Sequence, residues 1–132
     1  MKKLLLLAGL MIALMSYSCK SAPKEGIELV TPQEMQELAQ MEDVQLVDVR
    51  TPGEYEEAYI DGFQNIDYLS DTFSADIEKL DKSKPVIVYC KSGRRSANCA
   101  EELKEKGFVK VYDLDGGIEK WKYEGFDIKT LP

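Results

Sequence analysis

Val86-Ile87-Val88-Tyr89-Cys90-Lys91-Ser92-Gly93-Arg94-Arg95-Ser96 is the stretch that decides the fold. Its first four residues are apolar and largely β-branched, the pattern of a strand buried on both faces of a parallel sheet. A helix is expected from about Arg95 to Lys106, with Ala97, Ala100 and Leu103 at helical spacing and Gly107 as its C-terminal stop. Cys90 therefore falls where a central strand ends and a helix begins. Backbone N–H groups at a helix start point towards such a sulfur, and the helix dipole favours negative charge there. Lys91, Arg94 and Arg95 lie within five residues of it. Both effects favour the thiolate, which is the nucleophilic form. A structural cysteine at a strand end would sit among apolar neighbours instead.

Working outward, strands and helices alternate. Ile27 to Val30 reads as an edge strand. Thr31-Pro32-Gln33-Glu34 is a capping box with proline at the first helical position, opening a helix to about Gln40. Val44 to Val49 is a second strand. Thr51-Pro52-Gly53-Glu54 repeats the capping box and starts a short helix to about Ala58. Residues 64–67 hold a brief strand, and 74–80 a helix with Ile77 and Leu80 on one face. Val109 to Tyr112 reads as a further strand. Gly116-Gly117 breaks the chain before a last helix carrying Ile118 and Trp121. This alternation predicts an α/β fold with a parallel sheet covered on both faces. Ligands of such sheets bind at the carboxyl ends of the strands, where Asp48, Arg50 and Cys90 all fall.

The N-terminus reads differently. Lys2 and Lys3 precede a 12-residue apolar run, Leu4 to Met15, too short for a comfortable membrane span. Ser16-Tyr17-Ser18-Cys19 follows. The pattern resembles a bacterial lipoprotein signal, which implies a signal peptide over 1–18 and lipid on Cys19. It also implies a tether over 19–26 and a domain over 27–132 facing the periplasm or cell exterior. An ordinary secretory signal, with Cys19 incidental, is the alternative. Loss of residues 1–18, which carry two lysines and no acid, takes the net charge from −7 to −9. An acidic surface argues against nucleic acid as a partner, and the basic cluster at 91–95 stands out as an anion site.

The chain has no histidine. Cys-His catalysis and histidine metal sites are thereby excluded, and no metal or organic cofactor is expected. Of the three cysteines, Cys99 is expected in the core on the helix after Cys90. Its alternative is a resolving thiol for Cys90.

Taken together, four motifs resemble the single-domain rhodanese (sulfurtransferase) family. They are Asp48-Val49-Arg50 with Glu54-Tyr55; Tyr59-Ile60-Asp61-Gly62 with Asn65-Ile66; the loop Cys90 to Ser96; and Leu114-Asp115-Gly116-Gly117-Ile118 with Trp121 and Gly125-Phe126. The resemblance spans about residues 27 to 128. It implies a three-layer sandwich with a central parallel sheet, and an exported, thiosulfate-type sulfurtransferase passing sulfane sulfur through a Cys90 persulfide. Its partners would be a small anionic sulfur donor, a thiol or cyanide acceptor and, through the lipid, a membrane, with the protein a monomer. Lys91, Ser92, Gly93, Arg94 and Arg95 would bind substrate. Asp48 and Arg50 would support the site, more by tying loops together than by touching substrate. Ala58-Tyr59 stands where the family has Gly-His, and Phe63 where it has a small residue, which puts local packing in question.

Three rivals stand beside this reading. A cysteine phosphatase or arsenate reductase has five residues between cysteine and arginine, whereas Arg95 comes after four and Ser96 holds the phosphatase position. A non-catalytic rhodanese-type binding module typically loses the cysteine or the loop cations, and both are kept. A redox pair of Cys90 and Cys99 lacks the Cys-x-x-Cys spacing.

Overall fold

A computed structural model describes residues 25–132. The signal over 1–18, Cys19 and most of the tether lie outside the described residues. The chain runs β1 (Ile27–Val30), α1 (Pro32–Leu38), β2 (Gln45–Asp48), α2 (Pro52–Glu57), β3 (Gln64–Asn65), α3 (Phe73–Ile77), β4 (Val86–Tyr89), α4 (Arg94–Glu105), β5 (Val111–Leu114) and α5 (Gly117–Tyr123). The five strands form one sheet in the order β1-β5-β4-β2-β3. Every pairing is parallel. This is the predicted α/β sandwich.

Central β4 is buried along its whole length. Burying each such side chain contributes about 1.5–3 kcal/mol before ordering costs. Its alternate residues feed two cores. Val86, Val88 and Cys90 face Cys99, Ala100 and Leu103 of α4, with Phe73 and Ile77 of α3 on the same side. Ile87 and Tyr89 face Met35 of α1, and Ile118 and Trp121 of α5. Both predicted capping boxes form. Thr31 Oγ1 accepts from Glu34 N at 3.2 Å while Glu34 Oε2 accepts from Thr31 N at 3.0 Å. Thr51 and Glu54 do the same for α2.

Two expectations are shifted. The last strand is Val111–Leu114, two residues later than Val109 to Tyr112. Val109 is solvent-exposed and its N–H bonds to Lys82 O, outside the sheet. Asp113 is instead a buried strand residue, paired with Val88 on one side and Leu29 on the other. The buried face of α4 is Ser96, Cys99, Ala100 and Leu103, whereas Ala97 is exposed. The stripe keeps its helical period, but it begins on a serine.

Phe63 and Tyr59 find places in this packing. Phe63 is buried edge-on to Tyr89, ring centroids 4.9 Å apart. Tyr59 stacks on Tyr55 at 4.6 Å, and its backbone bridges to Lys129. Trp121 lies in the core, its Nε1 donating to Asp127 O at 2.8 Å.

Candidate active site

Cys90 follows the last residue of β4, and Gly93 caps α4 with φ 105, a left-handed conformation that favours glycine. This tight reversal turns the Gly93 N–H onto Cys90 Sγ at 3.1 Å. The sulfur also contacts Ser96 Oγ at 3.4 Å, with the thiol as donor. Cys90 itself is only 1% exposed. A polar donor and a hydroxyl thus meet the sulfur on the loop side, while apolar core lies behind it.

The loop is held from below by α5. Ile118 N donates to Cys90 O at 2.9 Å and Glu119 N to Lys91 O at 3.1 Å. Such close approach needs glycine at 117, because a Cβ there would collide with the carbonyls of Cys90 and Lys91. The Gly116-Gly117 pair therefore serves as the seat of the loop.

The loop cations divide into two kinds. Arg94 is exposed and has no carboxylate partner among the described residues. Lys91 is exposed, with Glu119 no nearer than 3.9 Å. Arg95 turns the other way. Its guanidinium forks onto the Glu54 carboxylate of α2 at 2.8 and 2.7 Å. That fork, against the opposing effect of burial, holds the Glu54 carboxyl at about 2. Arg95 thereby locks the loop to α2, and its charge is already shared. Ser92 is exposed at the loop tip.

Asp48 and Arg50 form a buried strut rather than a wall of the sulfur site. Asp48 is fully buried and Arg50 nearly so. Arg50 Nη2 donates to Asp48 Oδ2 at 2.7 Å and to Ala58 O at 2.6 Å. Tyr89 Oη, one residue before the cysteine, donates to Asp48 Oδ2 at 2.6 Å and accepts from Ile60 N at 3.0 Å. Burial first, and Asp48 second, push the Tyr89 phenol far above its ordinary range, so it stays a donor. A buried carboxylate satisfied this fully fixes the ends of β2 and β4 together.

Cys99 sits deep in the same core as Cys90. Burial, with Glu102, Asp113 and Cys90 adding to it, pushes its thiol pKa up beyond its ordinary range, so it remains protonated. The contacts of Ser96 with the sulfur, and the burial of Asp113 beyond it, were not assigned from sequence. The signal for Ser96 was present: it stands three, four and seven residues before Cys99, Ala100 and Leu103.

The arrangement sets a buried cysteine sulfur under a backbone N–H donor, on a loop that carries the exposed Lys91, Ser92 and Arg94. Residues 31–124 match the family model described as the rhodanese-like domain. A thiosulfate sulfurtransferase, GlpE, from Coxiella burnetii is 44% identical over 87 residues, which is 65% of this chain and 78% of that protein. A rhodanese-related protein from Thermoplasma volcanium superposes with TM-score 0.70 at 26% identity, over 79% of this chain and 99% of that one. The polysulfide-sulfur transferase homodimer of Wolinella succinogenes gives TM-score 0.67 at 28% identity, over 80% of each chain.

Proposed function

The chain belongs to the rhodanese-like domain family and is a sulfurtransferase, and from that premise we propose that it carries sulfane sulfur as a persulfide on Cys90. Thiosulfate is the donor class and a thiol or cyanide the acceptor. The observation that carries this reading is the Gly93 N–H held on Cys90 Sγ at 3.1 Å, in a loop that also carries exposed Lys91 and Arg94.

The thiolate of Cys90 attacks the outer sulfur of thiosulfate. A new S–S bond forms, the donor's own S–S bond breaks, and sulfite leaves with its electron pair. The outer sulfur remains on Cys90 until an acceptor nucleophile takes it and restores the thiolate. Negative charge is present at every stage, so a preorganised N–H donor and nearby cations favour the whole sequence. Lys91 and Arg94 draw the dianion in, while Arg95 and Glu54 keep the loop closed at its length. An arginine committed to Glu54 is also unsuited to closing around a phosphoryl group, which weighs against a phosphatase. Retention of the cysteine and of the loop cations weighs against a binding module.

In this reading the protein is exported and works as a monomeric domain tethered to a membrane through lipid on Cys19, facing the periplasm or cell exterior. Cys19→Ala would release it to the soluble fraction. Thiocyanate formation from thiosulfate and cyanide tests the activity. Cys90→Ser is expected to lower turnover by roughly a thousandfold or more. A variant with most of the wild-type rate would overturn the assignment.

A further inference from the structure

Ser96 opens the buried stripe of α4, which continues through Cys99, Ala100 and Leu103. Its side chain is fully buried like theirs, yet it alone brings a hydroxyl into the stripe. A buried hydroxyl is costly unless its hydrogen bonds are made. Two groups of the Cys90 loop make them. The Cys90 thiol donates to Ser96 Oγ, sulfur to oxygen 3.4 Å, and Ser96 Oγ donates to Gly93 O at 3.2 Å. Gly93 in turn places its N–H on Cys90 Sγ at 3.1 Å. Thiol, hydroxyl and carbonyl thus form a chain of donors that ends on Gly93 O.

Gly93 O does not depend on that hydroxyl. Ala97 N donates to the same oxygen at 3.2 Å, as the first backbone bond of α4. A serine hydroxyl turns freely about its Cβ–Oγ bond. Once Cys90 Sγ is charged, Ser96 Oγ no longer receives a thiol proton. Its own proton can then turn from Gly93 O to the sulfur, and the carbonyl stays paired with Ala97. Hydrogen bonds to a charged acceptor are about twice as strong as neutral ones, so the anion gains more from Ser96 than the thiol does. The other charged and titratable groups around the pair are Arg95 and Cys99 of α4, which act on Cys90, and Asp113 of β5, which acts on Ser96. Lys91 and Arg94 are exposed on the loop itself. Among the described residues, Gly93 N and Ser96 Oγ are the hydrogen-bond partners of Cys90 Sγ.

We propose that Ser96 is a second catalytic residue: its hydroxyl accepts from the Cys90 thiol at rest and turns to donate to Cys90 Sγ whenever that sulfur carries charge. The proposal deepens the persulfide reading and rests on it for the second half of the cycle. In that half an acceptor nucleophile attacks the outer sulfur of the Cys90 persulfide. The bond between acceptor and outer sulfur forms, the bond between outer sulfur and Cys90 Sγ breaks, and its electron pair stays on Sγ. Cys90 Sγ is the leaving group, so charge grows there in the transition state. The Gly93 N–H and the Ser96 O–H meet it without giving up a proton. In the first half the two effects of Ser96 offset one another, because a thiolate that lacks a donor is scarcer but more nucleophilic. Ser96 therefore acts chiefly on sulfur release.

The test compares the full chain with Ser96→Ala, which removes only the hydroxyl from an apolar stripe, and with Ser96→Thr, which keeps it. Each protein is loaded with thiosulfate, freed of excess donor and mixed with cyanide, and loading and thiocyanate release are timed separately. Ser96→Ala is expected to release sulfur about tenfold more slowly than wild type and to load it with a smaller loss. A disturbed loop would slow both steps alike. Ser96→Thr is expected to release sulfur within about threefold of wild type. Alkylation of Cys90 by iodoacetamide, followed on its peptide against pH, reads the thiolate without any sulfur transfer. Ser96→Ala should fall behind wild type at neutral pH and draw level as pH rises. Release from Ser96→Ala at the wild-type rate overturns the proposal. So does release from Ser96→Thr as slow as from Ser96→Ala, when its unfolding midpoint is that of wild type. Identical alkylation profiles in all three proteins overturn it as well. Wild-type protein that takes up no sulfur, while the alkylation profiles differ as expected, overturns the persulfide reading and confines Ser96 to the thiolate.

Discussion

Cys90 and Cys99 are both 1% exposed and belong to the same apolar cluster, yet their surroundings are opposite. Cys90 follows a strand and meets a backbone N–H and a hydroxyl, on a loop that carries exposed Lys91 and Arg94. Cys99 lies inside α4, where burial and the acids Glu102 and Asp113 keep it protonated. Burial therefore does not distinguish the two thiols, of which the proposed function makes one reactive and the other inert. What separates them is whether the backbone turns a donor onto the sulfur, and that depends on Gly93 and on the seat that α5 provides.

The largest test of this contrast disturbs one thiol's seat and spares the other. Gly117→Ala places a methyl group against the carbonyls of Cys90 and Lys91. The loop must shift, and a displacement of about 1 Å at a reacting centre costs roughly a hundredfold. Thiocyanate formation should fall by that order, while Cys99 stays unreactive to iodoacetamide in the native protein. Normal activity in this variant would mean that the seat does not set the geometry of Cys90.

Asp113, which acts on the Cys99 thiol, gives the next largest effect. Its folded value, about 6, lies above the ordinary 3.8. Between those values the native state holds more protons than the unfolded state, so stability falls as pH rises through the window. The contribution is present below about pH 4 and lost above 6, amounting to up to about 3 kcal/mol. Asp113→Asn cannot titrate. Relative to wild type, its denaturant-unfolding free energy should therefore gain up to that amount between pH 4 and 7. A constant difference across the window would show that the carboxyl titrates at its ordinary value.

Much of the difference between the two thiols was legible in the sequence. Each capping box named its helix start, because Thr-Pro-x-Glu satisfies orphan N–H groups in a way few other sequences do. The run Val86 to Tyr89 placed Cys90 at a strand end. The boundary of β5 was missed because an aspartate inside a buried strand looks like a strand's end, yet Asp113 is buried and its neighbours on β1 and β4 continue past it. Ser96 was left out of the helical stripe, which was drawn through the apolar residues Ala97, Ala100 and Leu103, because a serine adds nothing to an apolar pattern. The pairing of Arg95 with Glu54 joins residues 41 positions apart and left no local signal. The same holds for Tyr89 on Asp48. Local chemistry is readable from neighbours in the chain, whereas polar contacts across elements depend on a register that the chain does not print.

The smallest expected effect is at Cys99. Cys99→Ala removes one buried sulfur and should cost about 1 kcal/mol of stability. Turnover should stay within about twofold of wild type, since the change touches packing alone. A large loss of turnover, with the fold intact, would give Cys99 a part in the chemistry.

The most direct measurement is peptide mass spectrometry of the protein after incubation with thiosulfate and removal of excess donor. The account predicts one added sulfur on the peptide carrying Cys90, none on the peptide carrying Cys99, and loss of the added sulfur on treatment with cyanide. Sulfur on Cys99, or an unmodified Cys90 after thiosulfate has been consumed, would contradict it.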